Sequence, residues 1–492
     1  MGMRFLLDTN ILIPLEDSKR PLLPSLANFV RLATAHGHAL LYHPASVEDI
    51  RQDGDIERRK QTIQRLAQYT SLSARPDCPW NKGEVDRNDA ADNEILYALQ
   101  LDAVHALVTE DKKIHAKAKT HGLVDRVYTI QTAEDLLRRL HERQTVSLPN
   151  IDDVPLYSLS PLLRSTFFDS LRARYPGFDD WFAIKARSGR NAWVNWEREN
   201  ELGGICIYDR QDNEPITDTM TLPGAALKLA TFKVGVTNRG KKIGELFLKM
   251  AFRHASINRL EHIFIHGDED EHRFLFEMLE DFGFSKVGYH PGSTNHDAVY
   301  LKPHPVAAPA DPLSPFDYAR RYFPHFRHDA GVSKYIVPIQ PPYHRILFPD
   351  YPSPMDLQMA LFQQPNPAGN AIKMAYLCHA QTKHIEPGSI VLFYRSRDER
   401  AITSIGVVES YDTLSEAADI VARVKRRTVY SMEEIGKMAA KSTRVMLFRL
   451  VRHLENPLPQ SWLEKGGVLN GAPQSIMKIS DDRFECILAH GR

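Results

Sequence analysis

The feature that most constrains the fold is an alternation of short apolar runs with longer amphipathic runs over residues 1–146. The apolar runs are RFLL, ALLYH, AVHALVT and RVYTI, and the helical patterns between them are LLPSLANFVRLATAHG, IERRKQTIQRLAQYT and AADNEILYALQLD. Strand and helix patterns that alternate along a chain are typical of βαβ units. They predict an α/β domain with a parallel sheet.

The chain of 492 residues is longer than a single hydrophobic core usually supports. Two proline-rich stretches without a helical period divide it, SLPNIDDVPLYSLSP and KPHPVAAPADPLSP. We therefore predict an α/β multidomain protein with linkers at these stretches and domains at residues 1–146, 155–303 and 316–492. Strand-like runs such as SIVLFY and SIGVVESY predict a small β-barrel with added helices in the last domain.

The composition excludes several classes of protein. Apolar residues make up 43% and charged residues 25%, as in ordinary globular proteins. The four cysteines show no paired spacing, which argues against a disulfide framework or a zinc site and predicts a reducing cytoplasm. The start of the chain lacks a signal-peptide layout, and no apolar stretch reaches the length of a membrane helix.

Basic and acidic residues balance at 62 each, so that contact with nucleic acid must come from local patches. Only the C-terminal third carries a net positive charge, and it contains the run ARVKRR. Such a cluster suits phosphate contact, although solvated helix faces have the same composition.

Acidic residues in the first domain occupy informative positions. Asp8 follows the strand RFLL and Asp111 follows AVHALVT, at strand ends where open α/β sheets place ligands. Glu48 lies at a predicted helix start, and Asp89 and Asp92 share one face of a helix. These carboxylates can therefore converge on one edge of the sheet.

Convergence of three or four carboxylates requires protonation or a bound cation. A ligand set made only of oxygen atoms favours Mg²⁺ or Mn²⁺ over zinc. Such a site suits metal-assisted hydrolysis of phosphodiesters. The alternative is that Asp8 and Asp92 are helix caps while Glu48 and Asp111 are surface residues.

The segments RFLLDTNILI, VEDI, DAADNEILYA and LVTEDKKI together resemble the PIN-domain ribonucleases, many of which are toxins of bacterial toxin–antitoxin pairs. The resemblance covers the whole first domain. It implies acidic metal ligands at Asp8, Glu48, Asp92 and Asp111, with Asp89 as an additional candidate. It also implies that the polar side chains of Asn10 and Thr109 support the first and last acids.

The segment LATFKVGVTNRGKKIGELFLKMAF predicts a strand, a basic glycine loop and an amphipathic helix whose start can hold a pyrophosphate. With the later strand HIFIHGD and the sequence FGF, it resembles the GNAT acetyltransferases, which bind acetyl-CoA. The resemblance implies a binding loop made of Val236, Arg239, Gly240, Lys241, Lys242, Ile243 and Gly244.

One residue of this loop departs from the family pattern. Lys242 stands where the loop usually has its first glycine, so that its side chain would either crowd the pyrophosphate or pair with it. Tyr289 or Tyr300 would serve as general acid or belong to the core. The histidines around the acidic run DEDE, at 262, 266 and 272, are metal ligands or part of a solvated loop.

The segments KYIVPIQPPYHRILFPDYP, IEPGSIVLFYRS and SIGVVE resemble the PUA-like superfamily of ASCH or EVE type, small barrels that commonly bind RNA. The ASCH glycine–lysine signature is replaced by QPPYHRILF. The candidate RNA contacts are Lys383, Arg395, Arg397, Arg423, Lys425, Arg426 and Arg427.

These features lead to one main prediction and two alternatives. The main prediction is a cytoplasmic Mg²⁺- or Mn²⁺-dependent endoribonuclease, the toxin of a toxin–antitoxin pair, with an antitoxin protein as partner. The PUA-like domain would select RNA, and the GNAT-like domain would bind acetyl-CoA or act as a scaffold. The alternatives are an N-acetyltransferase acting on aminoacyl-tRNA or protein, and a non-enzymatic adaptor that senses RNA or CoA. No membrane partner is expected, and a homodimer is left open.

Overall fold

The computed structural model describes residues 2–17, 22–72, 75–81, 86–141, 151–198, 200–235, 242–291, 296–351, 372–424, 427 and 429–491. The chain divides into two compact units. The N-terminal unit comprises Met1–Gln144 and Thr413–Val445, and the larger unit comprises Thr145–Asp412 and Met446–Arg492. No helix in the described part of the chain is long and apolar enough to cross a membrane.

The N-terminal unit contains a five-stranded parallel sheet in the order β3-β2-β1-β4-β5. Its strands are β1 (Arg4–Leu7), β2 (Ala39–Tyr42), β3 (Thr70–Ser71), β4 (Ala106–Val108) and β5 (Val127–Tyr128). Its helices up to residue 141 are α1 (Thr9–Glu16), α2 (Pro24–Ala35), α3 (Pro44–Ile50), α4 (Ile56–Arg65), α5 (Arg87–Gln100), α6 (Lys112–Thr120) and α7 (Ile130–His141). The predicted alternation and the parallel sheet are thus confirmed.

The order of these strands determines which strand ends lie next to each other. The chain turns from one side of β1 to the other when it passes from β3 to β4. Side chains that follow β1 and β4 therefore meet at a topological switch point, where open α/β sheets bind ligands. Leu6, Leu41, Leu107, Ile95 and Leu99 belong to the apolar core that holds this sheet against its helices.

The central part of the larger unit is a seven-stranded sheet in the order β13-β14-β12-β11-β8-β7-β6. Its strands, with a separate hairpin of β9 and β10, are β6 (Ile151–Pro155), β7 (Asn191–Arg198), β8 (Glu201–Asp212), β9 (Pro215–Thr217), β10 (Met220–Thr221), β11 (Ala225–Val234), β12 (His262–Gly267), β13 (Ser285–Tyr289) and β14 (Ala298–Pro303). Its helices are α8 (Asp169–Arg174), α9 (Phe178–Arg187), α10 (Ile243–Ile257) and α11 (Arg273–Asp281). Neighbouring strands are antiparallel except β11 and β12, which run parallel.

The predicted linker at residues 147–161 is wrong from residue 151 onwards, and residues 147–150 lie outside the described residues. β6 pairs with β7, and a 3₁₀ helix, Leu156–Leu162, follows it. β6 is the last strand of its sheet, so it pairs on one side only and retains polar residues such as Asp152 and Asp153. Because β6 retains polar residues, its sequence lacks the apolar run by which the other strands were predicted. The domain boundaries themselves stay predictions.

The C-terminal part contains a six-stranded sheet in the order β16-β19-β18-β17-β15-β20. Its elements in chain order are α12 (Pro315–Arg321), β15 (Lys334–Ile339), α13 (Pro341–Leu347), β16 (Lys373–Cys378), β17 (Ile390–Arg395), β18 (Ala401–Leu414), α14 (Ala417–Val424), α15 (Met432–Ala439), β19 (Thr443–Pro459), α16 (Gln460–Lys465), β20 (Met477–Ile479) and α17 (Asp481–His490). β17 and β18 match the predicted runs SIVLFY and SIGVVESY, whereas β16 and β20 were not predicted. α14 and α15 belong to the N-terminal unit, and closure into a barrel stays a prediction. The four cysteines, all of them among the described residues, form no disulfide.

Candidate functional sites

The first candidate site lies at the carboxyl ends of β1 and β4. Asp8 follows β1 and is the N-cap of α1, so that its Oδ1 accepts the Thr9 N–H at 2.7 Å. Its Oδ2 accepts the Asn10 side-chain amide at 2.7 Å and the Thr109 hydroxyl at 2.6 Å. Asn10 also accepts the Glu110 N–H through its Oδ1 at 3.1 Å, which ties the two strand ends together. The carboxylate of Asp8 is thereby fixed in one orientation.

Burial and neighbouring charges perturb this site. Burial raises the pKa of Asp8 to about 6, its hydrogen bonds with Thr109 and Thr9 oppose the rise, and the charges of Asp111 and Asp49 add to it. Burial also raises the pKa of Asp92 to about 6, and Asp111 and Asp8 contribute. The structure therefore brings Asp8, Asp92 and Asp111 within electrostatic range of one another.

The other two predicted ligands have basic partners. Glu48 Oε1 lies 2.5 Å from Arg75, which also binds Glu94 and lowers the pKa of Glu48. The Asp89 carboxylate lies 3.2 Å from the Lys117 ammonium, and Asp92 lies 3.5 Å from the same group.

Sequence reasoning missed Asp49, the residue after Glu48. Its charge acts on Asp8, and burial raises its own pKa. Periodicity offered a signal, because successive residues of a helix face different directions and only one of the two acids in VEDI can face β1.

Among the described residues, no group of three or more His, Cys, Asp or Glu side chains is arranged to hold a metal ion. The donor chemistry suits Mg²⁺ or Mn²⁺, but the side chains as they stand do not form a complete ligand set. The same holds for the histidines at 262, 266 and 272, which are not part of any such group among the described residues.

The second candidate site is an opening in the central sheet. β11 pairs with β12 at residues 226–229, and its register with β8 shifts between Leu229 and Thr231. Residues 231–234 continue to pair with β8, and no pairing of these residues with β12 is seen in the described chain. The two parallel strands thus separate at their carboxyl ends, next to the start of α10.

The start of α10 is suited to an anion. The first N–H groups of a helix have no partner within the helix, and the helix dipole favours negative charge there. The side chain of Lys242, the cap residue, makes no capping hydrogen bond with this turn. A Cβ on Gly244 would meet the flexible end of Met278, at 3.2 Å, and Phe232 at 3.6 Å, so this side of the glycine is already packed. The first turn offers its backbone N–H groups, the donors that the diphosphate of the predicted acetyl-CoA would require.

Lys242 adopts a backbone conformation that favours glycine, with φ +64°. Its ammonium lies 3.0 Å from Glu245 Oε2 and is largely buried. The remaining predicted loop residues, Val236, Arg239, Gly240 and Lys241, lie outside the described residues. Ile243 is 1% exposed and belongs to the core of the central sheet.

The two tyrosines proposed as general acids differ in their surroundings. Tyr300 is 2% exposed and its hydroxyl donates to Glu269 Oε1 at 2.5 Å, so that burial and this hydrogen bond raise its pKa. Tyr289 is 50% exposed and its hydroxyl lies 3.2 Å from the Lys286 ammonium. Tyr300 is therefore a core residue, whereas Tyr289 is accessible.

The predicted RNA contacts divide by exposure. Lys383 and Arg397 are exposed. Arg395 is fully buried and binds Asp398 through two nitrogen atoms, at 2.9 and 2.6 Å, so that its guanidinium cannot reach a phosphate in this structure. Arg427 is 7% exposed, and Arg423 lies in the last turn of α14. Lys425 and Arg426 lie outside the described residues.

Comparison with known proteins gives weak similarities. No family model matches the chain, and no curated protein matches it. Solved structures that match include an ASCH protein from Zymomonas mobilis, with 9% identity over 32% of this chain and 94% of that chain and a TM-score of 0.24. They also include acetyltransferases from Corynebacterium glutamicum and Staphylococcus aureus.

The Corynebacterium structure, described as histone acetyltransferase HPA2 and related acetyltransferase, has 18% identity over 33% of this chain and 99% of that chain, with a TM-score of 0.24. The Staphylococcus structure, described as of the GNAT family, has 15% identity over 31% of this chain and 99% of that chain, with a TM-score of 0.24. Each similarity extends over about a third of the chain, and such scores assign no family.

Proposed function

We propose that the central sheet binds acetyl-CoA and that the protein transfers the acetyl group to an amine, as an N-acetyltransferase. The observation that carries the proposal is the separation of β11 from β12 next to the start of α10. A crevice between two parallel strands can receive an extended chain through main-chain hydrogen bonds. The helix start beside it offers N–H groups to a diphosphate. Acetyl-CoA supplies the acyl group of a thioester when it is bound there.

A matched pair of variants at Gly244 tests this binding mode. Gly244→Ala and Gly244→Asp add the same Cβ next to Met278, but only aspartate adds negative charge at the helix start. We expect the alanine variant to bind acetyl-CoA within about threefold of the native protein and the aspartate variant to bind at least about tenfold more weakly. Isothermal titration calorimetry on the full chain measures both. Equal affinity of the two variants, or no binding by the native protein, would refute the proposal.

A second function is favoured by the carboxylates of the N-terminal unit. We propose that this unit hydrolyses phosphodiester bonds of RNA, as a Mg²⁺- or Mn²⁺-dependent nuclease. The supporting observation is the fixed orientation of Asp8 and its electrostatic coupling to Asp92 and Asp111. Glu48 is paired with Arg75, so it could bind a metal ion only after leaving this partner; otherwise another acidic residue would have to take its place as ligand.

Cleavage of labelled RNA by the full chain, with and without MnCl₂, tests this second function. We expect Asp8→Asn to abolish cleavage and the Gly244 variants to retain it. A toxin role would be supported if expression of the native chain, but not of Asp8→Asn, arrests growth, and an antitoxin partner if a second protein relieves that arrest. If neither chemistry is detected, the adaptor alternative is favoured, with RNA contact through exposed residues such as Lys383 and Arg397.

A further inference from the structure

A histidine and an aspartate form a pair at the carboxyl end of β12. His266 is the last residue but one of this strand, and its Nδ1 lies 3.5 Å from Asp297 Oδ2. The imidazole is stacked on the ring of His290 at a centroid distance of 4.0 Å. The side chain of Asp297 is 9% exposed and that of His266 is 21% exposed. This distance gives an electrostatic contact between the carboxylate and the imidazole, in which Nδ1 of His266 makes no hydrogen bond, and part of the ring stays accessible.

A tyrosine fixes the same carboxylate from a second direction. The hydroxyl of Tyr175, between α8 and α9, hydrogen-bonds to Asp297. Burial and the charge of Asp297 raise the pKa of Tyr175 to about 12, so that the phenol keeps its proton and remains a donor at neutral pH. Asp297 is therefore a fixed negative charge beside Nδ1 of His266, which favours a proton on that nitrogen and leaves Nε2 as the proton acceptor.

The position of His266 relative to the crevice follows from strand alternation. Ile263 and Ile265 of β12 pack in the core that includes α10, and Phe264 packs in a different cluster. Since side chains alternate between the two faces of a strand, His266 lies on the face opposite α10. It lies at the end of β12 where β11 has separated. An acyl donor whose diphosphate sits at the start of α10 would leave this face open to a second substrate.

The charges around this end of the strand are mainly acidic. Four consecutive acids, residues 268–271, follow β12 directly, and Asp297 adds a fifth. Arg174 is paired with Asp268, and Lys286 is paired with Glu269. Asp297 is the carboxylate that the structure places beside His266, and its negative charge favours a positively charged substrate there.

We propose that His266, beside the negative charge of Asp297, is the general base for a primary ammonium acceptor; this inference rests on the proposed acetyltransferase function. The ammonium group of the acceptor loses one proton to His266, which passes it to solvent. The amine nitrogen then attacks the thioester carbonyl, a C–N bond forms, and the C–S bond breaks. The remaining excess N–H proton is transferred to the departing CoA thiolate, which leaves as the thiol.

The pH dependence of this step involves the groups that contact His266 and those that act on them. His290, after β13, and Asp297, before β14, contact His266. Tyr175, which follows α8, binds Asp297, and Lys228 of β11 acts on His290. The charges of Asp297 and of Arg174, the last residue of α8, act on His272 before α11. Burial, with the nearby His266 and Lys228, lowers the pKa of His290 to about 4, so that its ring is neutral near pH 7. Asp297 is therefore the charged group in direct contact with the base.

The test uses the full chain with acetyl-CoA and spermidine as probes, and release of the CoA thiol as the readout. Because general-base catalysis typically contributes about 10²–10⁴-fold, we expect His266→Gln to lower kcat about 100-fold or more, with the KM for acetyl-CoA unchanged. The acid limb of the pH profile should disappear in this variant. A purely structural role would lower kcat without removing that limb. Asp297→Asn should lower kcat about tenfold with the KM for acetyl-CoA unchanged, because the negative charge beside the imidazole is lost.

The matched control is His262→Gln, on the same strand face at the opposite end of β12. We expect native kcat and an unchanged acid limb for this variant, and calorimetric unfolding checks that all variants fold. Native activity and an unchanged acid limb in His266→Gln would overturn the inference while leaving the acetyltransferase intact. Binding of acetyl-CoA without transfer to spermidine would overturn the acceptor class. Absence of acetyl-CoA binding by the native chain would instead refute the proposed function.

Discussion

The ammonium nitrogen of Lys242 lies 3.0 Å from Oε2 of Glu245, in the first turn of α10. The backbone N–H of Lys373, the first residue of β16, donates to Oε1 of the same carboxylate at 2.5 Å. The Glu245 side chain is 8% exposed, so its charge is compensated by these two donors. The residue that departs from the GNAT pattern thus has a local partner, and its side chain is directed towards Glu245.

We predict that Lys242→Gly binds acetyl-CoA with a Kd within about threefold of the native value. Glycine accepts the φ of +64° without the cost of about 1–2 kcal/mol that a residue with a Cβ carries there. Isothermal titration calorimetry provides the measurement. If the affinity falls by more than about tenfold, the Lys242 ammonium contributes to diphosphate binding, either by direct contact or by compensating the charge of Glu245.

We predict that Asp49→Asn impairs RNA cleavage by the N-terminal unit more than Glu48→Gln does. The charge of Asp49 acts on Asp8, whereas Glu48 is 41% exposed and paired with Arg75. A time course of labelled RNA with MnCl₂ compares the two isosteric variants. The reverse order would show that Glu48 leaves Arg75 to join the site.

Much of the fold could be predicted because local patterns determine it. RFLL and ALLYH are short apolar runs followed by polar residues, and they become β1 and β2. β6 could not be predicted, since its strand character depends on pairing with β7 and not on its own hydrophobicity. The assignment of α14 and α15 to the N-terminal unit depends on contacts between distant segments, which no local pattern reports.

In the candidate sites, too, contacts that follow from the sheet could be predicted, whereas contacts between distant segments could not. Asp8, Asn10 and Thr109 meet because the ends of adjacent parallel strands must meet, and the parallel sheet could be predicted from the alternating pattern. Glu48 pairs with Arg75, and this pair could not be predicted because Arg75 belongs to none of the motifs that the sequence shows. Likewise, Asp297 and His266 are separated by two further elements, and antiparallel pairing of β12 with β14 brings their strand ends together.

We predict that the stability of the N-terminal unit depends on pH through Asp92. Its pKa is about 6 in the folded protein and about 4 in an unfolded chain, so the folded state binds the proton more tightly. The stability conferred by this proton is fully present below pH of about 4 and is lost as the pH rises through about 6. Asp92→Asn should therefore match the native protein near pH 4 and exceed its stability by about 1–3 kcal/mol near pH 8.

Differential scanning calorimetry at the two pH values measures this difference in the unfolding transition of the N-terminal unit. Asp89→Asn is the matched control, because Asp89 contacts the same Lys117 ammonium but is 46% exposed. We expect no pH-dependent gain for the control. A gain of equal size at both pH values would contradict the assigned titration of Asp92.

We predict that Arg395→Ala destabilises the protein and that Arg397→Ala does not. Arg395 is fully buried between Asp398 and Glu399, and removal of one partner from a buried ion pair typically costs about 3–5 kcal/mol. Arg397 is exposed, two residues further along the chain. Filter binding of RNA at several salt concentrations tests the role of Arg397, whose loss should reduce the salt dependence if it contacts a phosphate.

Thermal unfolding of both variants tests the stability difference. If Arg395→Ala has native stability, its carboxylate partners must reach solvent without cost. That result would contradict the burial of Arg395, which is the reason why Arg395 is excluded from RNA contact.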